Sequence, residues 1–565
     1  MEGEKAAPEL VRESRSLCAG EQEYVIQRKK KVLESLMEQK IHCAEDSVPH
    51  IALLGSGGGE RAAMGLLGSL HQMQKDKLLD FMLYMGGVSG STWSMAFLYT
   101  DPEWSMKMDQ AIHKLMNSEV DMEEALSWLK ERAKDENFSL TDIWGLMTTA
   151  GIMKQMELGK LSDPVNRNPN NPYPIYCAVE KYSFKHGPIE GKWFEGSPHE
   201  AGFTELGLFV ETPFLGSKFQ NGELMEKKRE MDMVKLQGIL GSALASEGKI
   251  KEYIEHWLHD HNILEAVHGV YLSVYNALHE LIHLARRVCN YASNLLDHLY
   301  GLLTGTDKAH QEEHPELESK SDEEKTSVFQ KWAQKLIDVV KDWAQSLEDG
   351  PLQKFFSFIT EHVLPLIEKW EWGTTNNFLY KYQDSSAPNS LTSMKKIHLM
   401  DAGLLMNVPY PSFLGDKRDI DLIIAPEFSA GEMFQTLTLA REYACTVKKP
   451  FPAIDKKILE EKNFPKDCYV FEGRGKEPTI VYLPLFNTHN CKTQEEFHDK
   501  MQKFSTFQGP FDKEQTKEVL TTAMENMSRN KETLLREISN AVVRRHNKGK
   551  TTLKKLSDTC LFGLV

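Results

Sequence analysis

Apolar and polar residues alternate along this chain in a pattern that predicts a β-sheet covered by helices. Six short apolar runs have the length and the bulky residues of buried strands. They are HIALL (50–54), DFMLYMGG (80–87), YPIYCAV (173–179), KKIHLMD (395–401), DIDLIIA (419–425) and PTIVYLP (478–484). The first two runs are each followed at once by a tight turn and a helical pattern. Such alternation predicts an α/β fold with a mostly parallel central sheet.

The segments around these runs divide the chain. Residues 1–20 are polar and are predicted to be disordered, whereas the apolar spacing of residues 21–42 predicts an amphipathic helix. Residues 1–44 are therefore assigned to an N-terminal segment and residues 45–565 to one large domain. Within that domain, the stretch from about 250 to 350 has no strand signal, and we predict that it is a helical insertion that caps the core.

Composition and charge exclude several classes of protein. The chain has 565 residues, of which 41% are hydrophobic and 26% charged, as in ordinary globular proteins. Its net charge of −15 argues against a general nucleic-acid binder, because phosphate neutralisation needs clustered Lys and Arg. There is no secretory signal and no run of the roughly 18 apolar residues that a membrane span needs. The eight cysteines form no CxxC pair, which indicates reduced thiols in the cytoplasm.

A serine flanked by glycines follows the second predicted strand. Residues 87–91 read GVSGS, the GxSxG pattern of a nucleophile elbow, and they lie between a strand and a helix as that turn requires. The strained turn needs small neighbours, and the positive end of the helix favours an alkoxide-like oxygen. Ser89 is therefore the candidate nucleophile. The alternative is a plain glycine-rich turn in which Ser89 only caps the helix.

A second glycine-rich turn, residues 55–61 (GSGGGER), follows the first predicted strand. Its three successive glycines allow main-chain N–H groups to point together at an oxyanion or a phosphate. A nucleotide-binding loop is the rival interpretation, but the Gly-Lys-Ser/Thr ending of the Walker pattern is absent. Two parallel strands joined by a helix place both turns at the same sheet edge, so we expect the glycine amides to face the oxygen of Ser89.

The candidate proton acceptor is Asp401. None of the twenty histidines lies in a convincing strand-end motif, and His398 falls within a predicted strand. Asp401 ends that strand, at a position predicted to lie at the carboxyl edge of the sheet. A buried carboxylate whose pKa is near neutrality can accept the proton of a serine. A helix-capping aspartate is the alternative, and the residues alone leave it open.

A zinc hydrolase is a further alternative. His279 and His283 belong to a literal HExxH on a predicted helix. However, the region is rich in histidine, and Arg286 stands where the longer HExxHxxGxxH form needs a glycine. No metal site and no cofactor are predicted.

Three of these segments together resemble a known family. GSGGGERA, GVSGS and MDAGL, in this order, are similar to the signature blocks of the cytosolic (group IV) phospholipase A2 family, which is related to patatin. The resemblance continues through SKF, WEWGTTNNFLY and DLIIAPEFSAG and covers residues 45–510 or so. It implies a three-layer core and a carboxylic ester hydrolase. The implied activity is that of a phospholipase A2 and lysophospholipase on glycerophospholipids, with transacylation possible.

The family pattern also implies roles for individual residues. Ser89 and Asp401 match a Ser–Asp dyad that works without histidine. The amides of Gly57 and Gly58 are expected to form the oxyanion hole. Arg61, after the glycine run, is expected to support substrate binding and the charged intermediate.

Two further positions concern the substrate. Arg418, in GDKRDIDL, matches a second family arginine that meets the phosphate head group, for which a guanidinium is well suited. Glu60 departs from the family, which has an apolar residue there. This glutamate could pair with the neighbouring arginine or weaken the binding of an anionic substrate.

Within the family, the chain is most similar to the gamma-type members. Ser89 lies too early for a calcium-binding C2 module to precede it, and no EF-hand-like loop is present, so we expect calcium-independent activity. Cys560 is followed by five residues, which is too many for a CaaX box, so prenylation is not expected.

Two basic segments could attract a membrane: residues 28–31 (RKKK) and 544–556 (RRHNKGKTTLKKL), the second within a basic tail of about 544–565. Each basic residue near an anionic leaflet contributes about 1 kcal/mol, so the tail is a candidate for membrane docking. A solvated helix end is the alternative. The expected partners are a phospholipid membrane surface and glycerophospholipid or lysophospholipid substrates. The expected location is the cytoplasm, peripherally on intracellular membranes. A catalytically weak lipid-binding or interaction protein on the same fold is the alternative function.

Overall fold

The computed structural model describes residues 10–243, 357, 372–383, 386–506 and 510–562. The chain divides into two compact units. The first comprises Met1–Asn117, Glu157–Gly241 and Thr375–Val565, and the second comprises Ser118–Met156 and Ser242–Thr374. The helical cap predicted at about 250–350 lies outside the described residues. A search of the described helices for one with the length and apolarity of a membrane span found none.

One large sheet carries most of the strands in the described part of the chain. Its order is β1-β7-β6-β5-β4-β3-β2-β12-β14-β13, with β11 added beside β4 and β10 beside β11, while β8 and β9 form a separate hairpin. The strands are β1 (Val11–Glu13), β2 (Ile51–Gly55), β3 (Tyr84–Gly87), β4 (Tyr173–Glu180), β5 (Trp193–Gly196), β6 (Glu200–Phe203), β7 (Leu208–Glu211), β8 (Lys218–Gln220), β9 (Glu223–Glu226), β10 (Thr374–Asn376), β11 (Lys396–Asp401), β12 (Leu422–Glu427), β13 (Tyr469–Phe471) and β14 (Thr479–Pro484).

Helices lie between and after these strands along the chain. They are α1 (Ala19–Glu38), α2 (Glu60–Lys75), α3 (Gly90–Leu98), α4 (Met108–Asn117), α5 (Met122–Arg132), α6 (Leu140–Leu146), α7 (Lys181–His186), α8 (Met233–Leu240), α9 (Asn389–Thr392), α10 (Gln435–Thr446), α11 (Gln494–Lys503), α12 (Lys513–Arg529) and α13 (Lys531–Phe562). A single π-helical stretch, Met147–Ile152, follows α6.

The centre of the sheet is parallel, which confirms the prediction. Strands β14, β12, β2, β3 and β4 are neighbours that run in the same direction. Every residue of these five strands is buried, as expected for parallel strands with both faces covered. The flank beyond β4 is an antiparallel meander of β5, β6 and β7, which the apolar runs did not predict.

Successive residues of β3 show what lies on each face of the sheet. A side chain at Gly87 would strike the sulfur of Met95 in α3, and one at Gly86 would strike the ring of Phe413. The α3 face also receives α2, because Leu66 approaches Gly55, the partner of Gly87. On the opposite face, α1 contributes Tyr24, which packs edge-on against Tyr173. These contacts give the predicted three layers.

Strand β11 enters the sheet in a direction that the sequence did not predict. It runs antiparallel to β4, and Asp401 lies opposite Ala178. Strand β3 ends at Gly87, which pairs with Tyr176 of β4. Beyond Tyr176, the edge of β4 that pairs with β3 is therefore free to pair with another strand. Strand β11 fills that opening. Asp401 therefore reaches the carboxyl end of β3 from outside and does not end a parallel strand.

The described part of the N-terminal segment, from residue 10 onward, differs from the prediction of disorder for residues 1–20, and residues 1–9 lie outside the described residues. Val11–Glu13 form β1, which pairs antiparallel with Leu208–Glu211 at the edge of the sheet. Arg12 anchors this strand through an ion pair with Glu200 at 2.7 Å. The predicted amphipathic helix is present as Ala19–Glu38.

Candidate active site

Ser89 lies on the sharp turn between β3 and α3. Its backbone has φ 50° and ψ −130°, a left-handed conformation that costs a residue with a side chain on the order of 1–3 kcal/mol. Ser89 occupies the N-cap position of α3, yet its side chain makes no capping hydrogen bond. The geometry is therefore that of a nucleophile elbow, and the alternative in which the hydroxyl only caps the helix does not hold.

The glycine loop packs directly against this turn. A side chain at Gly90 would fall 1.9 Å from the carbonyl oxygen of Gly59, and one at Gly57 would fall 2.8 Å from Cβ of Ser89. The hydroxyl of Ser91 also donates a hydrogen bond to the carbonyl of Ser56 at 2.6 Å. The two glycine-rich turns thus meet at one edge of the sheet. Gly90 is required by the main chain of Gly59, and Gly57 is required by the side chains of Asn407 and Ser89.

Asp401 is fully buried beside Ser89. Burial raises the pKa of its carboxyl to about 7, although hydrogen bonds from the Ser89 side chain and the Gly403 amide lower it. The Gly403 N–H lies 2.8 Å from Oδ1. Asp401 therefore does cap the short turn Ala402–Leu404, as the alternative interpretation held. The same carboxyl is close enough to the Ser89 side chain for that hydroxyl to lower its pKa.

Gly57 differs from its predicted role. Its N–H donates to the main-chain carbonyl of Asn407 at 2.9 Å and is not available to an oxyanion. The next two residues have unusual backbones, with φ 148° at Gly58 and 62° at Gly59. Within the part of the chain that the structure describes, their N–H groups have no acceptor. The candidate donors are therefore Gly58, as predicted, and Gly59 in place of Gly57.

Arg61 lies next to the glycine loop but points into the protein. Its Nη2 would be 3.2 Å from a side chain at Gly58. The guanidinium donates twice to the carbonyl of Phe428, at 2.9 and 2.7 Å, and also to the carbonyl of Phe504. Burial lowers its pKa to about 10, so it stays charged at neutral pH. Arg61 thus ties two loops to the glycine loop, and its contact with substrate stays a prediction.

Glu60 accepts a hydrogen bond from the segment that precedes α12. Its Oε2 accepts a hydrogen bond from the N–H of Phe511 at 2.7 Å, and the residue is almost fully buried. In this position the carboxylate orders the segment that precedes α12.

Arg418 is not part of this site, which corrects its predicted role. Its guanidinium is fully buried between two carboxylates: Nε lies 2.8 Å from Glu21 and Nη2 lies 2.9 Å from Glu195. These carboxylates hold the pKa of Arg418 well above its usual range, despite burial. A phosphate head group could bind this guanidinium only by displacing the ion pairs, so the side chain instead joins α1 to β5.

Both basic segments lie at the opposite end of the parallel strands from Ser89. Arg28 is buried and donates to the carbonyl of Met82, just before β3, at 3.0 Å. Arg545 and Lys548 pair with Asp421, just before β12, at 2.6 and 2.8 Å. The length of a strand, roughly 20 Å, separates this edge from the nucleophile. These cations therefore stabilise the amino-terminal edge of the sheet.

Arg545→Ala is expected to destabilise the protein without weakening its attraction to vesicles. The substitution leaves the buried carboxylate of Asp421 with fewer partners, which costs roughly 1–3 kcal/mol. Thermal unfolding and co-sedimentation with anionic vesicles measure the two effects, with Lys550→Ala as the exposed control from the same tail. A variant that unfolds normally but loses vesicle binding would restore the membrane-docking hypothesis for the tail.

Three residues near the site were missed by the sequence analysis. Asn407 bonds to Gly57, Ser429 bonds to Asn407, and Glu427 bonds to Ser429. Glu427 and Ser429 lie at the end of β12, a parallel neighbour of β2, and that position was the available signal. Asn407 follows Asp401 by six residues and carried no signal.

Two groups of residues concern metal binding. His279 and His283 of the HExxH pattern lie outside the described residues. Within the described ranges, Cys18, Glu21 and Glu200 approach one another closely enough to hold a cation. Both carboxylates, however, already pair with arginines, Glu21 with Arg418 and Glu200 with Arg12.

Comparisons with known proteins agree with this architecture. A family model described as a lysophospholipase catalytic domain matches residues 51–249. Cytosolic phospholipase A2 gamma of Homo sapiens is 32% identical over 530 residues, which cover 91% of this chain and 93% of the relative. The protein of that name from Mus musculus is 30% identical over 553 residues, covering 92% and 91%.

Solved structures give the same fold. Human GIVD cytosolic phospholipase A2 aligns with 95% of this chain and 67% of its own, with a TM-score of 0.64 and 21% identity. The identity with the human and mouse relatives, over nearly the whole length of each chain, is high enough to assign the family. The chain belongs to the cytosolic phospholipase A2 family, and it is a carboxylic ester hydrolase.

Proposed function

We propose that this protein hydrolyses acyl esters of glycerophospholipids and lysophospholipids through a Ser89–Asp401 dyad, without calcium. One observation carries the proposal: a fully buried carboxyl lies beside the Ser89 side chain, and burial raises its pKa to about 7. A carboxylate of that basicity can take the serine proton near neutral pH, so a histidine is not needed.

The chemistry has two stages. Oγ of Ser89 attacks the ester carbonyl carbon while its proton passes to Asp401. The tetrahedral intermediate then expels the glycerol oxygen, which takes the proton back from Asp401, and an acyl-Ser89 remains. Asp401 next accepts a proton from water as that water attacks the acyl carbon. The second tetrahedral intermediate expels Oγ of Ser89, which takes the proton back from Asp401, and a fatty acid is released. A hydroxyl of a lysophospholipid in place of water would give transacylation.

The developing oxyanion is stabilised by the N–H groups of Gly58 and Gly59. Both N–H groups lie beside the elbow, and neither of them has an acceptor among the described residues. The amino end of α2 begins at Glu60, immediately after this loop, and its partial positive charge adds to the effect. Each fixed donor of this kind raises the rate by on the order of 100- to 1,000-fold.

Calcium independence follows from the same assignment. Asp401 supplies the base and the glycine amides supply the electrophilic contact, so neither role requires a bound cation. Substrate reaches Ser89 from a phospholipid surface, since both substrate classes reside there. We also propose that the protein works in the cytoplasm and meets membranes peripherally, with the carboxyl edge of the sheet toward the lipid.

Release of fatty acid from mixed vesicles tests the function. Phosphatidylcholine with different chains at its two positions, together with lysophosphatidylcholine, is incubated with the protein in excess EGTA, and free fatty acids are identified by mass spectrometry. We expect turnover that changes less than about twofold when calcium replaces EGTA. Absence of turnover with folded protein would favour a lipid-binding role on the same fold.

The pH dependence of the reaction should follow Asp401. The base must be deprotonated, so kcat/KM for a water-soluble ester is expected to fall about tenfold per pH unit below an apparent pKa of about 7 and to level off above it. Initial rates between pH 5 and 9, with circular dichroism to verify folding at each pH, measure the profile. A flat profile through this range would rule Asp401 out as the base.

A further inference from the structure

We propose that Asn407 is a positioning residue that orients the oxyanion-binding loop by holding both main-chain groups of Gly57. This inference deepens the proposed function, because it concerns the donors of that same site. In this inference Asn407 acts through Gly57 and not through a contact with substrate.

Asn407 contacts Gly57 at two points. The main-chain carbonyl of Asn407 accepts the Gly57 N–H at 2.9 Å, and its side-chain Nδ2 donates to the Gly57 carbonyl at 3.0 Å. The two residues also touch closely, because a side chain at Gly57 would fall 2.2 Å from Oδ1 of Asn407. A segment that follows Asp401 is thus fastened to the loop that faces Ser89.

The second contact controls the direction of a catalytic donor. The carbonyl of Gly57 and the N–H of Gly58 belong to one planar trans peptide, in which they point in opposite directions. By fixing the Gly57 carbonyl, Nδ2 of Asn407 therefore fixes the direction of the Gly58 N–H. Without that restraint the peptide is free to rotate, because Gly57 and Gly58 both lack the side chain that limits backbone conformation.

A chain of hydrogen bonds holds the Asn407 amide in this orientation. Nδ2 also donates to Oγ of Ser429, and Oγ of Ser429 in turn donates to Glu427. The N–H of Ser429 donates to the same carboxyl oxygen of Glu427 at 2.8 Å. Both hydrogens of the Asn407 amide are therefore used, so its nitrogen and oxygen cannot exchange places without breaking two bonds.

Glu427 ends this chain. The hydroxyl of Tyr482 donates to its Oε2 at 3.0 Å and also contacts the carbonyl of Met433. Burial raises the pKa of Glu427, although hydrogen bonds from Ser429, Tyr482 and Ser56 lower it. Both oxygens of this carboxyl are therefore held, Oε1 by Ser429 and Oε2 by Tyr482.

Asn407→Asp provides the sharpest test, because aspartate has the same shape but no donor. We expect kcat for a water-soluble p-nitrophenyl ester to fall about 100-fold, with KM changed less than about threefold. Asn407→Ala should behave in the same way, and Ser429→Ala should lose about tenfold. These three variants give a reading even if one of them does not fold.

The thiono analogue of the same ester separates positioning from general damage. Sulfur accepts hydrogen bonds weakly, so the thiono ester depends less on oriented donors. The ratio of oxo to thiono kcat should therefore fall at least tenfold in both Asn407 variants. Asn377→Ala is the matched control, because Asn377 is a buried asparagine whose Nδ2 also makes two hydrogen bonds, here to main-chain carbonyls elsewhere. It should keep the wild-type ratio even if it lowers the unfolding temperature.

The outcomes distinguish this inference from the proposed function. A ratio that stays at the wild-type value in Asn407→Asp, with Ser89→Ala inactive in parallel, would overturn the role of Asn407 and leave the dyad intact. Activity that persists in Ser89→Ala would overturn the proposed function itself. A fall in the ratio confined to the Asn407 and Ser429 variants supports the positioning role.

Discussion

Replacing Ser89 by alanine is expected to lower kcat by roughly 10,000- to 1,000,000-fold, because the oxygen that forms the acyl-enzyme is lost. The fold should persist. Alanine fits the space of serine, and the Ser89 side chain makes no capping hydrogen bond to α3 that the variant would lose. Any remaining rate would come from the oxyanion donors and binding alone.

Labelling by a fluorophosphonate measures this effect directly. The probe should label wild type in excess EGTA at a peptide that contains Ser89, and it should not label Ser89→Ala. Ser91→Ala is the control within the same turn, because Ser91 bonds to the carbonyl of Ser56 and does not face the dyad. Labelling that persists in Ser89→Ala would locate the nucleophile elsewhere.

Asp401→Asn is expected to lower kcat by on the order of 10,000-fold, as for a catalytic aspartate whose geometry is kept but whose charge is lost. The amide occupies the same space beside Ser89 and Gly403, yet it cannot accept the serine proton. Fluorophosphonate labelling should slow by a similar factor, because phosphonylation also needs an activated serine. The two readouts together separate a loss of base from a loss of substrate binding.

Asp421→Asn is the matched control for that variant. Asp421 is also fully buried, but it lies before β12 and pairs with Arg545 and Lys548. Replacing Asp421 should reduce the stability of the protein, but kcat/KM should still fall below about pH 7 as in wild type. If kcat/KM of Asp401→Asn also fell below about pH 7, another group would have to be the base.

The sequence predicted those parts of the molecule that depend on local patterns. Each of the six apolar runs became a strand, and GVSGS became a strained turn with Ser89 at its tip, because glycine content and strand length are local properties. The parallel order of the central strands followed from the alternation of strands and helices.

Properties that depend on distant residues were not predictable in the same way. The direction of β11 depends on an open edge of β4, which appears only when β3 ends at Gly87. Arg418 is buried because it forms ion pairs with Glu21 and Glu195, which are far from it along the chain. Gly59 takes the place of Gly57 as a candidate oxyanion donor because the Gly57 N–H already donates to the carbonyl of Asn407.

The resemblance to a family predicted residue types better than residue surroundings. It gave Arg61 and Arg418 as substrate contacts, and both guanidinium groups are fully buried and bonded to the protein itself. A matched arginine conveys a permanent charge, but whether that charge meets solvent, ligand or carboxylate is decided by packing.

Strand β4 sets the distance between Ser89 and Asp401, the two residues of the dyad. Tyr176 fixes the end of β3 and Ala178 fixes the end of β11, so the separation of nucleophile and base is set within one strand. Loops before and after β4 can therefore lengthen, shorten or diverge over evolution at little entropic cost and without moving the catalytic pair. One residue inserted between Tyr176 and Ala178 would have the opposite effect, since it would shift β11 by about 3.3 Å and turn Asp401 to the other face of the sheet.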